Sequence, residues 1–127
     1  EWRREDGAKQ PYYLTLEDRE IFGFAGLYDE TSDPEAEGPE GAVQGSYTII
    51  TTAANDAVSF IHERMPVILR PEHEEAWISH DVTDPDEIEH LLTPRPGSEM
   101  LTYPVSKAVN NARTDRPDLI EPIDPDA

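Results

Sequence analysis

The sequence predicts an α+β domain built on an antiparallel or open β-barrel-like sheet, with short helices between the strands. Three observations lead there. Runs of β-branched and aromatic residues recur along the chain, proline- and glycine-rich stretches separate them, and the helical patterns in between are short. With 127 residues there is room for one domain with a real core, but not for two of ordinary size.

The elements follow in order. Residues 12–16 have strand character, a polar turn follows at 17–20, and 21–28 supply a second strand. These two strands are expected to form a hairpin, with Gly23 and Gly26 marking close packing or a bend. Residues 31–45 combine Pro34, Gly38, Pro39, Gly41 and Gly45 with Asp33, Glu35, Glu37 and Glu40, the composition of an acidic loop. Residues 46–52 make the clearest strand. Asn55 is suited to cap a short helix from Asp56 to about Ile61 that delivers His62 near its end. Pro66 stops that helix, and Val67, Ile68 and Leu69 follow as a short buried strand. Pro71 opens a helix carrying Ala76, Trp77 and Ile78, and a second acidic helix start at Asp84 leads to Ile88, Leu91 and Leu92. Residues 100–105 form the last strand, with Val109, Asn110 and Asn111 in a following turn or short helix. The acidic, proline-containing tail at 113–127 has only Leu119, Ile120 and Ile123 to strap it to the body.

Composition limits the function classes. Only 36% of residues are apolar, and 28 acidic side chains against 10 basic ones leave a formal net charge of -18. Such a chain is either an acidic, partly disordered interaction protein or a folded domain of a high-salt cytoplasm, where the charges are screened. The ordered apolar runs favour the halophilic domain. Global charge argues against nucleic-acid binding, yet eight of the ten bases are arginines, and a small arginine patch suffices to hold phosphate. There is no cysteine, so disulfides, thiolate metal sites and a cysteine nucleophile within these residues are excluded. No run is long and apolar enough for a transmembrane helix, and no membrane partner is expected. The opening Glu1-Trp2-Arg3-Arg4 resembles neither a signal peptide nor a natural start, so an upstream segment is expected.

Candidate chemistry concentrates at few places. His73, His80 and His90 lack metal-ligand spacing and are expected at the surface, so no zinc site is expected. His62 lies at a junction pinned by core elements, which suits it either to proton transfer or to bonding the carbonyls of a helix end. Arg64 is suited either to offset nearby acids or to hold an anionic oxygen. Glu1 beside Trp2 is a frayed terminus unless the two are buried together, in which case the carboxyl is suited to acid–base work. Ser106, Asn110 and Asn111 follow a strand, where they either bond a polar ligand or close a turn.

Several blocks then carry a resemblance. Ile61-His62-Glu63-Arg64-Met65-Pro66-Val67-Ile68-Leu69, preceded by Phe24-Ala25-Gly26-Leu27-Tyr28 and Thr51-Thr52-Ala53-Ala54-Asn55, resembles the later part of the SOS response-associated peptidase (SRAP) domain. Tyr103-Pro104-Val105-Ser106 and Val109-Asn110-Asn111 resemble its closing motif, and the similarity runs from Glu1 to about Pro122. The resemblance implies that residues 1–127 are the C-terminal part of a single SRAP domain, incomplete without the upstream segment. It also implies a monomeric protein, needing no cofactor or metal, that captures the ring-opened aldehyde of abasic sites in single-stranded DNA as a thiazolidine and carries autopeptidase activity. By the same resemblance His62 and Glu1 are the catalytic pair, while Trp2, Arg64, Ser106 and Asn110 contact DNA. Tyr28 stands where the family has tryptophan, and the family's nucleophilic cysteine and positioning asparagine belong to a region before Glu1. Two other readings stay open: a noncatalytic DNA- or protein-binding module with the same fold, and an unrelated halophilic hydrolase using His62 with an acid.

Overall fold

The computed structural model describes residues 1–32 and 43–124. In chain order the strands are β1 (Trp2–Glu5), β2 (Ala8–Leu16), β3 (Gly26–Ser32), β4 (Val43–Ile49), β5 (Thr51–Ala53), β6 (Arg64–Pro66) and β7 (Met100–Pro104), with the helix α1 (Pro71–Ile78) between β6 and β7. All strand pairs with a described register are antiparallel and the sheets are open, as the α+β prediction requires. The chain falls into two compact units, one drawn from Glu1–Phe22, Thr52–Met65 and Pro94–Ala127, the other from Gly23–Thr51 and Pro66–Thr93.

In the first unit β2 is the middle strand of the order β1-β2-β7. β1 and β2 form a hairpin whose two-residue loop is Asp6-Gly7, between the paired Glu5 and Ala8. Both loop residues have positive φ, 44° at Asp6 and 85° at Gly7, as in a type I′ turn matched to strand twist. A Cβ on Gly7 meets nothing within 4 Å, so Gly7→Ala would feel backbone strain alone. It is expected to cost about 1–2 kcal/mol in denaturant unfolding; a variant as stable as the parent would show that the turn relaxes to another type.

Leu16, Val58, Met65 and Val105 are buried in this unit. Two polar residues are buried with them, and each has partners. The Gln10 amide donates to Pro11 O at 3.0 Å and Val105 O at 2.9 Å. The Arg95 guanidinium pairs with Glu99 at 2.9 Å. The tail is strapped as expected, but by its backbone: Val105 bridges Pro122, and Ile123 N–H donates to Pro104 O at 3.0 Å. Ile120 and Ile123 stay 49% and 38% exposed, so burial of those side chains is not the main tie. The Tyr103 hydroxyl donates to Ile120 O at 3.0 Å. Burial first, and the neighbouring Tyr13 second, hold the Tyr103 phenol above the usual tyrosine range.

The second unit is organised around Ala25, Val67 and Leu69, against which Ile50, Trp77 and Leu92 pack. Backbone bonds of 2.9 Å interlace these segments, Ala25 N to Val67 O, Ile50 N to Ala25 O, and Val67 N to Ile50 O. The Trp77 indole donates to Gly26 O at 3.1 Å. Of the two glycines singled out in the sequence, Gly26 marks the close approach: a Cβ there would lie 3.2 Å from Thr48 O, whereas at Gly23 the nearest atom is 3.7 Å away.

Five local expectations are corrected. Residues 12–16 and 21–28 do not form a hairpin: residues 12–16 pair with β7, and β3 pairs instead with β4 from Gly26↔Ile49 to Ser32↔Val43. Of the segment 31–45 expected as an acidic loop, Thr31, Ser32, Val43, Gln44 and Gly45 are paired in that ribbon, and residues 33–42 lie outside the described residues. The strand at 46–52 breaks at Ile50, which bonds to Ala25 and Val67 rather than continuing the β3 ladder. The helix expected at 56–61 is a pair of successive turns, with Ser59 N bonding to Asn55 O at 2.8 Å and His62 N to Val58 O at 3.1 Å. Six residues are too few to recover the cost of helix nucleation, and the Asn55 side chain holds the first turn itself by accepting from Ala57 N at 3.0 Å. For similar reasons the second acidic helix start gives only the 3-10 turns Pro85–Glu87 and Glu89–Leu91, the first with Asp84 Oδ1 accepting from Asp86 N at 3.0 Å.

Candidate active site

A cavity of about 450 Å³ opens in the first unit. One wall comes from the β1–β2 hairpin, which contributes Glu1, Trp2, Arg3, Arg4 and Lys9; the other comes from the turn before β6, which contributes Phe60, Ile61 and His62. Glu1 and His62, 61 positions apart in sequence, thus reach one cavity because the hairpin and the turn converge there.

The backbone of Glu1 is fixed by pairing with β2. Tyr12 N donates to Glu1 O at 2.8 Å, and the Glu1 nitrogen donates to Tyr12 O at 3.2 Å. The Glu1 side chain is exposed and Trp2 is 48% exposed, so the joint burial considered from sequence is not found. Trp2 is instead anchored through its indole N–H, which donates to Asn110 Oδ1 at 2.6 Å. Asn110 therefore supports an aromatic wall of the cavity. Ser106 caps the 3-10 turn Lys107–Asn110 by accepting from Ala108 N at 3.2 Å, and so helps to place Asn110.

His62 is exposed and held at one edge. Its Nδ1 lies 3.0 Å from both the backbone N and the backbone O of Arg64. When Nδ1 is unprotonated it accepts from the Arg64 N–H, and the neutral ring then carries its proton on Nε2. When Nδ1 is protonated it donates to Arg64 O. The ring can therefore change protonation state without turning, which suits a group that passes protons. Arg64 itself follows in β6 with an exposed side chain, outside the set of residues that line the cavity.

Sequence reasoning does not single out Arg3, Arg4, Lys9 and Phe60 as site residues. Arg3 pairs with Glu5 at 3.0 Å and its guanidinium lies 5.4 Å from the centre of the Phe60 ring, while Tyr12 meets the same ring edge-on at 5.3 Å. The signal that could have found them is Asp6-Gly7 between two extended runs, a strong two-residue hairpin marker that places Arg4 beside Lys9. In the second unit the His73 and His90 rings come within 6.4 Å of each other. Among the described residues no group of three or more metal-ligating side chains is assembled, and no helix is long and apolar enough to cross a membrane.

Fold and cavity together define an α+β domain whose cavity brings a carboxylate and an imidazole together, framed by cationic and aromatic side chains. The chain belongs to the SOS response associated peptidase (SRAP) family, whose model matches residues 1–112. It is 41% identical over 122 residues to the abasic site processing protein YoqW of Bacillus subtilis, covering 95% of this chain and 52% of that protein. It is 33% identical over 143 residues to the abasic site processing protein HMCES of Gallus gallus, covering 98% of this chain and 41% of the relative. A crystal structure of a Bacteroides thetaiotaomicron protein matches with a TM-score of 0.80 and 32% identity, over 97% of this chain and 52% of the other. The chain thus spans about half the length of the curated bacterial relatives it matches.

Proposed function

We propose that this chain is the acid–base and strand-binding part of a protein that captures abasic sites in single-stranded DNA as a covalent adduct. The observation that carries this reading is the shared cavity of Glu1 and His62, walled by Trp2 and Phe60 and rimmed by cations. The names of its relatives as abasic site processing proteins agree with it.

The chemistry asks for what this cavity offers. His62 protonates the sugar oxygen as the abasic deoxyribose opens to its aldehyde. An aminothiol then adds to the aldehyde carbon, forming C–S and C–N bonds, and the carbonyl oxygen departs as water. Glu1 takes a proton from the attacking amine and supplies one to the departing hydroxyl, so the cycle needs no net acid or base. The same carboxylate is placed to assist release of a residue preceding the nucleophile, the autopeptidase step. These 127 residues include no cysteine, so the thiol comes from outside them. Trp2, Arg64, Ser106 and Asn110 serve the DNA strand, the last two through the anchoring of Trp2. The acidic surface belongs to a high-salt cytoplasm, where the cationic rim acts at short range.

The test is to mix the full-length protein with single-stranded DNA carrying one abasic site in molar salt. A heat-stable protein–DNA adduct is expected, and none with undamaged DNA. Tight binding without an adduct would establish a noncatalytic module instead, and turnover of another substrate without an adduct would establish a hydrolase.

A further inference from the structure

We infer that Arg4 and Lys9 form a phosphate clamp at the tip of the β1–β2 hairpin, holding a backbone phosphate of the strand whose abasic nucleotide occupies the Glu1–His62 cavity; this rests on the function proposed above. The two residues are direct cross-strand partners, beside the Asp6-Gly7 turn. Cross-strand partners share a face, so two like charges stand side by side, an arrangement that works against the hairpin unless an anion sits between them. Both side chains are exposed, and neither has an ion-pair or hydrogen-bond partner among the described residues. Arg3, by contrast, is committed to Glu5 and to the Phe60 ring.

The distribution of charge adds a second argument. The chain has 28 acidic and 10 basic side chains, yet the cavity is lined by three cations and one carboxylate. Cations this scarce, gathered at a single opening, mark an anionic ligand rather than a solvated surface. The ligand class follows from the neighbours. Two partly exposed aromatic rings, Trp2 at 48% and Phe60 at 44%, flank the same opening. Cations that track a backbone beside aromatic faces that stack bases are the combination that suits single-stranded nucleic acid rather than a small carboxylate. The rigid two-residue turn fixes the separation of the two head groups better than a loop would.

The test uses the full-length protein and undamaged single-stranded DNA, so it does not depend on adduct formation. Binding is measured across a salt series for the parent and for the Arg4→Gln/Lys9→Gln double variant, with circular dichroism to confirm folding. Loss of one phosphate contact should make the slope of log affinity against log salt shallower by about 0.7, with a severalfold loss of affinity at the lowest salt. Exchanging the charges, Arg4→Lys with Lys9→Arg, should restore both. A scan of oligonucleotides with one neutral methylphosphonate linkage should find a position that weakens the parent and leaves the double variant unchanged. An unaltered slope and affinity in the double variant, or a linkage scan that affects both proteins alike, overturns the clamp. Failure of the parent to form an adduct with abasic DNA would instead overturn the proposed function, and the binding comparison would still decide the clamp.

Discussion

Replacing His62 with alanine in the full-length protein is expected to slow adduct formation by about 10²–10⁴-fold, the range of a lost general acid or base. Folding should be unaffected, because the imidazole is exposed and its Nδ1 bonds only to the backbone of Arg64, two residues on. Glu1→Gln is expected to fall in the same range. Glutamine keeps the shape and leaves untouched the two backbone bonds that join residue 1 to Tyr12, so the loss reports the carboxylate alone. Combining the two changes should cost less than the product of the single effects, since residues that act in one proton transfer are not independent. The measurement is the single-turnover rate of cross-linking to an abasic oligonucleotide, taken over a pH series. Rates within threefold of the parent for both variants would remove the acid–base pair from the mechanism.

Gly97→Ala should damage the site from a distance. A Cβ at this position would lie 2.9 Å from Ala57 N, 3.4 Å from Ala57 Cβ and 3.5 Å from Asp56 Cβ. The closest of these atoms belongs to the backbone, so no rotation of a side chain relieves the clash. Residues 55–62 form the linked turns that carry Phe60, Ile61 and His62 to the cavity, and Asn55 ties their start to Arg95 O by a 2.7 Å bond. Pushing Ala57 away must either displace these turns or break that bond. A loss of about 1–3 kcal/mol is expected, as for other overpacked sites, read as a lower midpoint in denaturant unfolding. The cross-linking rate of the folded variant should fall too, because sub-ångström placement of His62 matters to proton transfer. Unchanged stability would mean that the 55–62 turns yield freely and do not hold the histidine in place.

Much of the fold was legible along the chain. The β-branched run before Ile49, the Pro71 helix start and the 100–105 strand all follow from local preferences that tertiary packing reinforced. The misjudged segments share a cause. Residues 21–28 are strand-like by composition, but which strand pairs with which is not a local property, and residues 12–16 pair with β7, far away in sequence. Residues 56–61 have helical spacing but are too short to propagate, and the side chain of Asn55 offered the backbone a competing turn.

The site shows the same division. His62 stood out as a pinned residue, whereas Glu1 and Trp2 carried no signal of their own beyond the family motif, Lys9 only the Asp6-Gly7 turn marker, and Phe60 none at all. Residue types and their order were enough to determine the family, the α+β class, the absence of a thiol and the scarcity of cations. Only the tertiary structure decided that a hairpin tip and a turn more than fifty residues later would wall one cavity and that the indole of Trp2 would be held by Asn110. It likewise decided that a few of the rare bases would gather at the opening. Local sequence sets the conformations open to each segment, while long-range pairing and close packing choose which distant side chains meet.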